Sequence, residues 1–125
     1  MKFNNSLPIY KQVIDKFKAD IISGRVKLGD KMPSTRDLAK ELGINPNTAT
    51  RIYKEMESQG ICYKKRGLGT FITESAETVN EIKVDMANRL TADFVQGMIK
   101  LGISYEEMVS LVLQKKAIML EDYNE

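Results

Sequence analysis

The stretch TRDLAKELGINPNTATRIY, residues 35–53, decides the fold of this chain. Leu38 and Ala39 stand five and four positions before Gly43, while Ala49 and Ile52 stand six and nine after it. Two short helices that cross closely need these residue types at these places. The small Ala39 lets the second helix pass over the first, Gly43 permits a sharp turn, and Ala49 with Ile52 pins the second helix. Ser34, with Asp37 three residues on, opens the first helix as an approximate capping box, and Leu42 completes its apolar stripe. Asn45 caps the second and Pro46 takes its first position; Tyr53 and Met56 extend its apolar face to a stop at Gly60. The spacing predicts a helix-turn-helix. A plain helical hairpin with a solvated polar face would satisfy the same pattern, so the flanking sequence has to decide.

Upstream, Ile9, Val13, Phe17 and Ile21 recur every four residues, joined by Tyr10, Ile14 and Ile22. They predict a helix over 8–23, with Pro8 in its first turn and Gly24 at its end. A turn at Gly29-Asp30 then leads to Pro33. Downstream, Ile61-Cys62-Tyr63 and Thr70-Phe71-Ile72 read as two short strands. Between them lies Lys64-Lys65-Arg66-Gly67-Leu68-Gly69, a basic glycine-containing loop. Such a loop directly after the second helix of the pair suits a wing that reaches nucleic-acid backbone.

The polar start of that helix completes the pattern. Asn47, Thr48, Thr50 and Arg51 project side chains able to bond an adenine edge, touch a thymine methyl, or pair with guanine or phosphate. Charge agrees with this assignment. Residues 1–75 hold 14 Lys and Arg against 8 Asp and Glu, whereas residues 76–125 hold 5 against 9. A basic first part and an acidic second part fit a first lobe that meets a polyanion.

These elements together resemble the GntR-type bacterial transcription regulators. The resemblance is carried by Pro33-Ser34-Thr35-Arg36-Asp37-Leu38-Ala39, Leu42-Gly43-Ile44 and Gly67-Leu68-Gly69-Thr70-Phe71-Ile72. Pro8-Ile9-Tyr10 and the run Gly24–Met32 extend it, so that it covers about residues 7–73. It implies that Arg36 contacts phosphate or base, that Asn47, Thr48 and Thr50 read bases, and that Arg66 and Gly67 form the wing tip. The chain departs from the best-known members, which carry arginine where Pro46 and Thr50 stand here, so the resemblance carries over no operator sequence.

After the wing, Ser75 opens a long helix with Val79, Ile82, Met86, Leu90, Phe94 and Met98 on a four-residue beat, sustained to Leu101 and stopped by Gly102. Ser104 with Glu107 caps a last helix, whose stripe is Met108, Leu111, Val112, Ile118 and Met119. The expected architecture is mainly α: a winged helix-turn-helix over 1–74, made of three helices and a small β-wing, and a two-helix dimerisation tail over 75–125. Two helices with long apolar stripes and no third layer cannot bury both faces by themselves. Self-association through Val79, Met86, Leu90, Phe94, Leu111 and Val112 solves this, against the alternative that the tail folds back on the first lobe. A tail this short is similar to that of the YtrA subfamily, which implies a dimeric regulator, most often a repressor, of a palindromic operator.

Other classes fit less well. The chain has no His, one Cys and no paired carboxylates at telling spacing, so an enzyme and a structural zinc site are not expected, nor any cofactor or metal. No apolar run approaches the length of a signal peptide or a membrane span, which leads to an expectation of a cytoplasmic protein. The principal alternative is a winged-helix protein-interaction module without sequence-specific DNA binding; the basic wing speaks against it, because a protein-docking face is usually depleted of charge. RNA binding would need an aromatic stacking platform, whereas Tyr53, Tyr63 and Phe71 read as core. The seven Met leave room for a small-molecule effector of unidentified chemistry at the dimer interface.

Overall fold

A computed structural model describes residues 1–123. In chain order the elements are α1 (Ile9–Ile22), α2 (Thr35–Leu42), α3 (Pro46–Ser58), β1 (Cys62–Lys65), β2 (Gly69–Ile72), α4 (Ala76–Lys100) and α5 (Tyr105–Tyr123). The chain divides into two compact units, Met1–Val84 and Asp85–Glu125, with the division inside α4. No helix among the described residues is long and apolar enough to cross a membrane.

The first unit is a winged helix-turn-helix. Its core is built from Val13, Ile14 and Ile21 of α1, Leu38 and Ala39 of α2, and Ala49, Ile52, Tyr53 and Met56 of α3, all buried. Ile61, Cys62 and Ile72 close it from the sheet side, and Ile82 adds the buried start of α4. The predicted caps form. Ser34 Oγ accepts from the Asp37 N–H at 3.1 Å, Asn45 Oδ1 from Asn47 at 2.8 Å, and Ser75 Oγ from Thr78 at 3.1 Å. Pro8 differs from expectation by one position: it is the N-cap of α1, outside the first turn. The Gln12 side chain instead ties down the segment before the helix, accepting from Asn4 N–H and donating to Asn4 O and Leu7 O.

The sheet also departs from the sequence reading. β1 and β2 pair antiparallel from Cys62–Ile72 to Lys65–Gly69, so Lys64 and Lys65 belong to a strand and the loop shrinks to Arg66, Gly67 and Leu68. Residues 29–32 run along the free edge of β2. Met32 N–H donates to Thr70 O and Ile72 N–H to Asp30 O, both at 2.8 Å, and Lys31 bridges Phe71. A segment read as a turn thus supplies a third, strand-like edge.

The second unit is a pair of helices. Ser104 Oγ accepts the Glu107 N–H at 3.2 Å and starts α5 as its capping box predicts. Met108 is buried, but most of the apolar stripe is not: Leu90 is 61% exposed, Val112 52% and Ile118 56%. Phe94 and Met98 face Leu111, Val112, Ile118 and Met119 across an open apolar trough of about 660 Å³.

Candidate nucleic-acid interface

The helix-turn-helix geometry rests on three contacts. Gly43 ends α2 with φ 66°, and its N–H and that of Ile44 both close on Ala39 O. Ala49 and Ile52 have no exposed surface, so α3 is seated firmly on the rest of the unit. The Tyr53 hydroxyl donates to Pro33 O at 2.6 Å and ties the third turn of α3 to the residue just before the α2 cap. Burial, more than the nearby Cys62, Glu41 and Asp37, raises the pKa of that phenol far above its usual value, so it stays a donor.

With α3 so held, Asn47, Thr50 and Arg51 line one face of it with Lys54. The Asn47 carboxamide makes no hydrogen bond among the described residues and is free to address a base edge. Thr50 Oγ1 donates back to Pro46 O at 3.1 Å, which leaves its methyl for apolar contact. Thr48 is half-buried, and so contributes to seating α3 as well as to its polar start. Arg51 is engaged: its guanidinium lies 3.8 Å from the centroid of the Tyr10 ring, a cation–π contact that joins α3 to α1. Arg36 is exposed at the second residue of α2.

The wing splits its basic run between two faces, because strand side chains alternate. Lys64 joins Thr50 and Lys54 of α3 and Thr35 of α2 around an open concavity of about 400 Å³. Lys65 lies on the other face, 5.0 Å from the Phe71 centroid and 5.8 Å from that of Tyr63, whose rings stack at 6.0 Å. Arg66 and Gly67 sit exposed in the connecting turn, which Leu68 N–H closes on Lys65 O at 2.9 Å. Of the residues selected from sequence, Asn47, Thr50 and Lys64 therefore share one surface, with Arg66 and Gly67 at the wing's end. Sequence reasoning missed Lys31 and Lys54, which line the same concavity. Lys54 stands seven residues after Asn47, two helical turns along the same face, and that spacing was the available signal.

Comparison with known proteins agrees with this architecture. The family model for bacterial regulatory proteins of the gntR family matches residues 9–72. The chain is 42% identical over 108 residues to the uncharacterized HTH-type transcriptional regulator YhcF of Bacillus subtilis (strain 168), covering 86% of this chain and 89% of that protein. It is 47% identical over 74 residues to the HTH-type transcriptional repressor YtrA of the same organism, covering 59% and 57%. Among solved structures, a GntR family transcriptional regulator from Listeria monocytogenes superposes with a TM-score of 0.83 at 38% identity, covering 90% of this chain and 98% of that one. AraR(DBD) in complex with operator ORX1 gives a TM-score of 0.50 at 30% identity, over 54% of this chain and 81% of that one. Family model, full-length relative and superposed structure agree: the chain belongs to the GntR family of helix-turn-helix transcription regulators.

Proposed function

We propose that the chain is a homodimeric repressor that reads a palindromic operator through paired α3 helices. The observation that carries this reading is the surface shared by Asn47, Thr50 and Lys64, polar along the recognition helix and basic along the wing. Asn47 and the Thr50 methyl supply base contacts in the major groove, while Arg36, Lys64, Lys65, Arg66 and the α3 N-terminus hold the backbone. Thr48 supports α3, and Arg51 orients it through Tyr10 before any contact with phosphate. The apolar trough lined by Phe94, Leu111 and Val112 and the exposed Leu90 support dimerisation, and the half-buried Met86 and Val79 on the same stripe of α4 are assigned to the same interface. Two recognition helices about 34 Å apart then match half-sites one turn apart. Repression follows from occupancy of promoter DNA, and the name of the B. subtilis repressor relative supports that sign. In this reading the chain works in the cytoplasm and catalyses no reaction, and the trough is the place to seek a small-molecule effector.

The test is fluorescence anisotropy with the promoter region of its own gene against a scrambled duplex, across a salt series. Tight, salt-dependent binding to the promoter with a palindromic footprint is expected. Equal, weak binding to both would refute sequence-specific reading and favour a protein-interaction module. Sedimentation of Leu90→Asp tests the dimer; a variant that still sediments as a dimer would remove the assignment.

A further inference from the structure

The hairpin has two faces, and the core uses one of them. Residues paired across a sheet point to the same side, and the side alternates along each strand. Cys62, Thr70 and Ile72 turn inward and are buried. Tyr63, Lys65, Gly69 and Phe71 share the opposite side, and the bridge of Lys31 to Phe71 brings the Lys31 side chain to it as well. Tyr63 and Phe71, expected in the core, are half-buried there, with rings 6.0 Å apart and 26° between their planes. Lys31 and Lys65 are exposed, and neither forms an ion pair among the described residues.

The lysines form a cationic row beside the aromatic one. Gly69 pairs with Lys65, and a Cβ on Gly69 would lie 3.1 Å from Lys31 Cε, so the missing side chain lets the Lys31 stem lie over β2. Lys65 Nζ is 5.0 Å from the Phe71 centroid and 5.8 Å from that of Tyr63. A cation over an exposed ring is held weakly, so a flat aromatic ligand can take its place and release it to an anion. The Tyr63 hydroxyl is engaged, donating to Glu74 Oε1 at 3.1 Å.

Ring faces with cations beside them suit an unpaired base and its flanking phosphates. Paired bases present only their edges in the grooves, so a duplex on the Lys64 face makes no use of these rings. A protein partner fits less well, because interfaces are depleted of lysine. We infer that the outer face of the wing binds an unpaired DNA strand, with bases stacked on Phe71 and Tyr63 and phosphates on Lys31 and Lys65. The inference goes beyond the operator reading and rests on it in one respect. The promoter held by α3 supplies the strand at high local concentration wherever the duplex opens beside the operator. DNA is favoured over RNA because the one hydroxyl on this face is already bonded to Glu74 and does not address a 2′-OH.

The experiment titrates labelled oligothymidylate with the full chain, alone and with unlabelled promoter duplex at saturation. It compares the wild type with Phe71→Leu, Phe71→Tyr and Tyr63→Leu, each first checked for a wild-type melting curve. The wild type should bind in both conditions, because the two nucleic acids occupy opposite faces of the wing. Phe71→Leu should lose about tenfold in affinity for oligothymidylate, the contribution of one stacked base, and keep its affinity for the promoter duplex. Phe71→Tyr keeps the ring and restores binding, and Tyr63→Leu carries the test where Phe71→Leu does not fold. An abasic strand of the same length, which has the charge without the bases, should bind the wild type as weakly as oligothymidylate binds Phe71→Leu. Equal binding of the abasic strand, displacement by the promoter duplex, or unchanged affinity in a folded Phe71→Leu would overturn the stacking site. Tighter binding of oligouridylate would assign the face to RNA, and binding of oligoglutamate with the same loss in Phe71→Leu would assign it to an acidic protein; either result overturns the proposal. A wild type that binds oligothymidylate but no promoter duplex would overturn the operator reading and leave the stacking site in place, whereas one that binds neither would overturn both.

Discussion

Gly43→Ala isolates what the turn of the helix-turn-helix demands. Two effects could make glycine necessary there, a clash or a strained backbone. A Cβ built on Gly43 meets nothing within 4 Å, so the clash contributes nothing. The backbone effect remains, because φ is 66° and an L side chain in the left-handed region costs about 1–2 kcal/mol. Alanine also restricts the unfolded chain, which returns about 0.4–1 kcal/mol, and the net loss is about 1 kcal/mol. For a unit of this size that lowers Tm by about 4–8 °C. Gly43→Asn should lose less, because Asn is enriched at positive φ, and Gly43→Val should lose more, because a β-branched chain resists it. Thermal and urea denaturation of the three variants give the order Gly, Asn, Ala, Val. DNA affinity measured well below each midpoint should stay at the wild-type value, since the turn adds no contact of its own. A loss above about 3 kcal/mol for Ala would exceed the conformational cost and reveal a contact at Gly43. Equal stability of Val and Asn would refute the left-handed turn.

Three further outcomes follow from the interface and the core. Asn47→Ala should leave Tm unchanged, since the carboxamide has no internal partner, and should reduce discrimination at one base position by about 1–3 kcal/mol in competition binding with single-base operator variants. Lys64→Ala should flatten the salt dependence of binding more than Lys65→Ala, because Lys64 faces the concavity while Lys65 lies over Phe71 and Tyr63; the reverse order would place the duplex on the other face of the wing. Burial, reinforced by Glu57, pushes the Cys62 thiol from 9.0 up to about 11. The folded state therefore holds the proton more tightly than the unfolded one. The stability this provides is complete below about pH 9 and is lost as pH rises toward about 11. Cys62→Ala should flatten that part of the pH dependence of Tm, and an equally steep decline in the variant would assign it elsewhere.

The helix-turn-helix was legible because its constraints are local. Leu38, Ala39, Gly43, Ala49 and Ile52 lie within fifteen residues, and each occupies the buried or left-handed position that its chemistry suggests. Caps at Ser34, Asn45, Ser75 and Ser104 were equally plain, since a cap bonds only two or three residues ahead. The wing was harder. Lys64 and Lys65 look like loop residues by composition, yet they are strand because Thr70 and Gly69 pair with them, and strand character depends on such partners. Lys31 and Arg51 were opaque for a related reason. Lys31 gains its place from Gly69, thirty-eight residues away, and Arg51 from Tyr10, forty-one residues away, and neither pairing has a periodic signature. The apolar stripe of α4 was visible in its four-residue beat and that of α5 in its clustered apolar residues, while their wide exposure in a single chain is a matter of packing that the pattern alone does not give.

The bond from Tyr53 to Pro33 has a kinetic consequence. It joins α3 to the segment that leads into α2, so that in the proposed function the two would approach DNA as one stiff probe. Little ordering is left for the moment of contact within this part of the molecule, and arrival is governed by charge and orientation. Changes along α3 should consequently appear in how long a complex lasts, and changes in the lysines in how often one forms. Tyr53→Phe would loosen the probe and blur that division between residence and encounter.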